Sequence, residues 1–272
     1  MSTVMPAPSM TLPAVRNASP RMPVSRLLHA YWTEARYEVL RTLRTPAFLI
    51  PTIALPVMLY VFFGVVLAGG GKGPHNPQIA LQVLSGFTMF SVIGPGVFGL
   101  GIGFAMERQH GIVTLKRAQP MPFAANLIAK LFSSMSIAVI VIGLLLAIAT
   151  TFGHVELTAG QAARAALVGV LGVVPFCALG LLIGSLVSGN GAPAVVNLIF
   201  FPMIYLSGLF PFPLPKALQT AAMIWPAFHL NQLSLAALGL PTQLNPWISA
   251  EVLIGFAGVC VYFAARRLMR VG

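Results

Sequence analysis

Long apolar stretches separated by sparse charges set the pattern of this chain. A helix needs about 20 residues to cross the ~30 Å hydrocarbon core of a bilayer. The uncharged runs reach that length repeatedly: 27 residues between Arg44 and Lys72, 34 between Lys72 and Glu107, 25 between Lys130 and Glu156, and 51 between Arg164 and Lys216. The last run holds two spans, divided by the turn-forming Ser188, Gly189, Asn190 and Gly191. A sixth span is expected over residues 247–265, where Glu251 is the only charge. The uncharged stretch 217–250 is different. Pro226, His229, Asn231, Gln232, Pro241, Gln243, Asn245 and Pro246 make it too polar and too broken for a lipid-facing helix. It is expected to be a re-entrant or interfacial segment before the last helix.

Over residues 25–45 the period changes. Leu28, Tyr31, Trp32, Ala35, Val39 and Leu43 recur at threes and fours, with Arg26, Glu34, Glu38, Arg41 and Arg44 on the other face. This predicts an amphipathic helix along the inner headgroups, with Trp and Tyr at the interface. Residues 1–24, rich in Met, Pro, Ser and Thr and free of acids, read as a disordered cytoplasmic tail. The chain thus divides into a tail (1–24), an interfacial helix (25–45) and a six-span domain (46–270). The fold class is an all-α integral membrane protein.

Composition agrees: 57% of the 272 residues are hydrophobic and 8% charged, against about 25% charged in soluble domains. All five acids are glutamate, which removes mechanisms built on an aspartate dyad, triad or metal cage. Cys177 and Cys260 lie in apolar runs, too few for a disulfide framework or a zinc site. The net charge of +11 is spread beside the spans, so it points to membrane orientation and not to nucleic acid. With six spans and both termini inside, thirteen cations are cytoplasmic and only Lys72, Arg164 and Lys216 lie outside. A seventh span would move Arg266, Arg267 and Arg270 outward and weaken that bias. In the second span, Gly99 and Gly103 form a small-x-x-x-small pair suited to close helix approach, and Pro95 frees a backbone carbonyl.

The most charged loop between spans is Glu107 to Pro120, ERQHGIVTLKRAQP. Ile112, Leu115 and Ala118 fall at threes, as on one side of a short helix, with Lys116 and Arg117 projecting. Positive-inside topology alone accounts for its charge; a docking helix for a cytoplasmic partner is the functional alternative.

This loop, with Glu107, Arg108, Gly111, Leu115, Lys116, Arg117 and Pro120, resembles the signature of the transmembrane permease subunit of bacterial type-two ATP-binding-cassette exporters. A second similarity follows the fifth span: Tyr205, Leu206, Ser207, Gly208, Leu209, Phe210 and Pro211, then Leu214-Pro215, Leu218-Gln219 and Pro226. There the family's chain turns back into the outer leaflet. The resemblance covers roughly residues 25–270. It implies a permease in the bacterial inner membrane that works with a separate cytoplasmic ATPase. The ATPase would dock on the 107–120 loop and the 26–44 helix, and a second permease copy would make twelve helices. No ATP site is expected in this chain: in the run Gly69, Gly70, Gly71, Lys72, Gly73 the lysine is followed by glycine where a phosphate loop needs Ser or Thr. No cofactor is expected either.

Two other classes are weighed against this. An ion-coupled secondary transporter would bury an ionisable group in the bundle; Lys130 sits at the inner end of the third span, where it is expected to snorkel, and Glu251 at the outer end of the sixth. An intramembrane hydrolase would have to use Ser207 with His229, and no nucleophile elbow surrounds Ser207. Phe87, Phe90, Phe98, Phe200, Phe201 and Tyr205 are candidates to line a path for an apolar or amphipathic substrate, although packing also accounts for them.

Overall fold

In the computed structural model, residues 23–67, 77–119, 121–209 and 215–271 are described. Every regular element among them is a helix. In chain order these are α1 (Val24–Leu43), α2 (Pro46–Leu67), α3 (Pro77–Gln109), α4 (Ile112–Ala118), α5 (Phe123–Thr151), α6 (Ala159–Leu186), α7 (Ala192–Leu206), α8 (Lys216–Ala222), α9 (Pro226–Leu238) and α10 (Pro246–Val271). The tail before Pro23, Lys72 with its glycines, and Pro120 lie outside the described residues.

Five helices, α2, α3, α5, α6 and α10, are long and apolar enough to cross a membrane. The sixth apolar helix is the 15-residue α7, about 22 Å long at 1.5 Å per residue. The polar segment 217–250 forms no span: α8 and α9 are short, and Leu238 ends α9 at Gly239, whose φ of +80° suits glycine. Buried polar groups on α9 are tolerated because they are bonded. Asn231 donates to the Ser207 carbonyl (2.9 Å), the Ser85 hydroxyl donates to Asn231 Oδ1 (3.4 Å), and Gln232 Oε1 accepts from the Gln243 amide (2.8 Å).

The bundle is built around α3, in which every residue from Val83 to Ile93 is buried. Helices α5, α6 and α9 pack against it. By contrast α2 and α10 sit at the rim and expose Ile50, Met58, Ile254 and Tyr262, as lipid-facing helices do.

The close helix crossing falls at different glycines from those expected. A Cβ on Gly180 would lie 2.6 Å from the Gly96 carbonyl oxygen, and one on Gly184 2.8 Å from the Gly101 carbonyl oxygen. The small-x-x-x-small pair is therefore on α6, riding over the α3 backbone. Gly103 has nothing within 4 Å and faces open space, while a Cβ on Gly99 would make ordinary contact with the Ser134 and Phe48 side chains at 3.7 and 3.8 Å; neither marks a close helix crossing. From Pro95 to Leu100 the α3 backbone winds in the wider π manner, consistent with the donor that proline removes. The Pro95 carbonyl accepts the Ser134 hydroxyl at 3.3 Å.

Candidate docking loop and membrane cleft

Spacing on α1 brings one polar row inward. Glu34, Glu38, Arg41 and Thr42 recur at threes and fours and so share a face, which meets α5 and the end of α3. Lys130 Nζ lies 3.0 Å from Glu38 Oε1 and 2.7 Å from Glu107 Oε1. Arg41 closes the ring from the other side, 2.7 Å from Glu38 Oε1 and 3.1 Å from Glu107 Oε1. Two acids and two bases alternate, so the ring is neutral. The Lys130 side chain is only 4% exposed. It is thus buried in a salt-bridge ring, a correction to the expected snorkelling lysine. The structure does bury an ionisable cluster, but both its charge signs are paired at the end of the bundle. Beside the ring, the Ser133 hydroxyl donates to Thr42 Oγ1 at 2.8 Å.

The loop residues singled out in the sequence divide into two groups. Several are tied into the bundle. Glu107 is buried in the ring. Arg108 donates to the Ser185 and Val187 carbonyls, the latter at 2.7 Å, capping the last turn of α6. Lys116 donates to Glu34 Oε1 (3.0 Å) and to Asn126 Oδ1 (2.6 Å). Arg117 lies over the Phe123 ring, 5.0 Å from its centroid, and donates to the Leu268 carbonyl at 3.2 Å. The second group is outward. Gly111, at φ +73°, turns the chain from α3 into α4, and Leu115 is 66% exposed beside exposed Ile112. Pro120 falls outside the described residues. Gln109 exchanges hydrogen bonds with Asn190, both at 3.2 Å, joining the loop to the turn before α7.

A cleft of about 1070 Å³ opens between α2 and α7, with α3 as its floor. Phe48, Pro51, Leu55, Phe90, Phe98, Phe200, Phe201 and Tyr205 line its apolar length. Arg41, Thr42, Thr45, Lys130, Ser133 and Ser134 form its polar end, next to the ring. Five of the six aromatics named from the sequence thus border it. Phe87 is the exception: it is fully buried and packs between Tyr60 and Phe63, with ring centroids 6.1 and 6.0 Å away.

Ser207 and His229 are each committed elsewhere. The Ser207 hydroxyl donates to the Ile204 carbonyl (2.6 Å), while His229 Nε2 donates to the Met223 carbonyl (2.9 Å) and its Nδ1 accepts from Ser249 (3.3 Å). Neither is placed as a nucleophile or its base.

The ABC-2 type transporter family matches residues 29–238, from α1 through α9. The chain belongs to that family. This ABC-2 permease is also similar to a Bacillus subtilis (strain 168) protein named "Putative transport permease YvfS", with 26% identity over 212 residues that cover 76% of this chain and 86% of the relative. The permease is the membrane subunit of an ABC transporter, and ATP hydrolysis belongs to a separate protein.

The ring was not found from the sequence. Its one local signal was Glu38 three residues before Arg41, an intrahelical spacing. The partners Glu107 and Lys130 lie 66 and 92 residues from Arg41 and Glu38 respectively, beyond what periodicity reaches.

Proposed function

We infer that this permease is the path-forming half of an exporter that carries an apolar or amphipathic substrate out of the cytoplasm, and that its ATPase docks on α4. One observation carries the reading: a short helix at the end of α3 presents Ile112 and Leu115 outward, while its inward residues grip three other helices. Lys116 reaches α1 and α5, and Arg117 reaches α10. A push on α4 is therefore delivered to α1, α5 and α10 at once. The thirteen-to-three charge bias supports placing this end, and both termini, in the cytoplasm of a bacterial inner membrane.

The cleft supports the substrate class. Its wall is mostly apolar and its inner end carries hydroxyls and the paired charges of Glu38, Arg41 and Lys130, which suits a molecule with a long apolar part and a polar head. The open side between α2 and α7 is also where a second, identical permease would complete a twelve-helix path, in accord with the family resemblance.

The direction is tested by co-expressing the permease with its ATPase and measuring ATP-dependent accumulation of fluorescent amphipaths in inside-out vesicles. Uptake that needs ATP and is lost when Gly103→Trp fills the cleft supports export. Accumulation driven by a proton or sodium gradient without ATP refutes it.

A further inference from the structure

The outward face of α1 is cationic and aromatic. Arg26 and Arg36 are exposed on it with His29, Trp32 and Tyr37, Arg44 is exposed at its C-terminal cap, and Trp32 is 69% exposed. The helix has only two acids, Glu34 and Glu38, and both are turned inward, to Lys116 and to the Lys130–Arg41 pair respectively. Of the chain's three other glutamates, Glu107 is paired in the ring. Glu156 lies in the loop between α5 and α6 and Glu251 near the start of α10, on the side remote from α1 in the expected topology. The internal salt bridges thus remove the negative charge from α1 and leave one sign facing out.

We propose that this face is a binding surface for anionic phospholipid of the inner leaflet, a partner fixed by charge complementarity. Guanidinium groups take phosphate oxygens in pairs, and Trp32 and Tyr37 have the apolar body and polar edge that suit headgroup depth. Anionic lipid then holds α1 flat. Because α1 carries Glu38 and Arg41 of the ring, the lipid composition sets how firmly the ring end of α3 and α5 is held. The leaflet assignment rests on the cytoplasmic placement of α1 proposed above.

Native mass spectrometry of the full detergent-solubilised chain, titrated with phosphatidylglycerol or phosphatidylcholine, tests the face. Each basic side chain near an anionic surface adds about 1 kcal/mol, so the wild type is expected to prefer phosphatidylglycerol by roughly tenfold or more. The R26Q/R36Q/R44Q variant loses that preference, and R26K/R36K/R44K, which keeps the charge, retains most of it. Equal preference in wild type and the glutamine variant overturns the proposal, as does no preference in the wild type. Loss of a co-purifying ATPase from the glutamine variant with its phosphatidylglycerol preference intact also overturns it, and gives the face to the ATPase instead. Orientation is read separately from labelling of Ser25→Cys in inside-out and right-side-out vesicles. Labelling from the periplasmic side removes the inner-leaflet assignment, whereas the lipid counts alone judge the face.

Discussion

Lys130 Nζ sits 2.7 Å from Glu107 Oε1, joining the third long helix to the end of the second. That one bridge, shared with Glu38 on α1, makes three helices meet at a neutral ring at the polar end of the cleft. Buried charges are tolerated here because each has opposite partners within about 3 Å; removing one member leaves the ring with one unbalanced charge.

Lys130→Met is therefore expected to lower stability by about 3–5 kcal/mol, as for other broken buried pairs. The double variant E107Q/K130M should recover part of that loss, because it removes the excess negative charge and leaves Glu38 paired with Arg41. Thermal unfolding of the purified chain in one detergent gives both values. Equal losses in the two variants would remove the ring from this account.

Arg108 ties the loop to the end of α6. Arg108→Gln should unpair the Ser185 and Val187 carbonyls and cost about 1–3 kcal/mol, with faster hydrogen exchange confined to the last turn of α6. Exchange that is unchanged there would contradict the capping role.

Two glycines make opposite predictions. Gly180→Ala puts a Cβ 2.6 Å from the Gly96 carbonyl oxygen, so backbone must shift, at about 1–3 kcal/mol. Gly103→Ala meets nothing within 4 Å and should gain up to about 1 kcal/mol from helix propensity. The sign of the two melting shifts, measured side by side, checks the crossing.

Much of this fold was legible because charge is so scarce. The uncharged runs bounded by Arg44 and Glu107 end within two residues of helix ends, and Glu156 falls in the loop between α5 and α6, since a charge tends to mark where a span can leave lipid; Lys130 and Arg164 instead lie inside α5 and α6, seven and five residues past their first residues. That the stretch between α7 and α10 holds only short helices and no span was legible from its prolines and amides. The crossing at Gly180 was not, because small residues occur throughout these helices and spacing alone does not say which pair meets a neighbour. Nor was the inward turn of the Glu34 and Glu38 row: amphipathicity separates two faces of α1 without saying which one meets the protein. The sequence singled out the loop as a unit, but not how its residues divide between inward and outward positions. Glu107, Arg108, Lys116 and Arg117 anchor the loop, and only the structure shows that Leu115 and Ile112 are left outward.

That division decides how the central claim is tested. Deleting the whole loop would break the ring and the α6 cap together, so a single exposed position is the sharper probe. Tagged chain is purified in mild detergent, as wild type and as Leu115→Asp, and the co-purifying ATPase and its ATP hydrolysis are measured alongside the melting temperature of each. The account predicts a stoichiometric ATPase with the wild type, at least tenfold less with Leu115→Asp, and melting temperatures within a degree or two of each other. Undiminished ATPase on Leu115→Asp, or a wild-type chain that purifies alone and transports in vesicles without ATP, would contradict it.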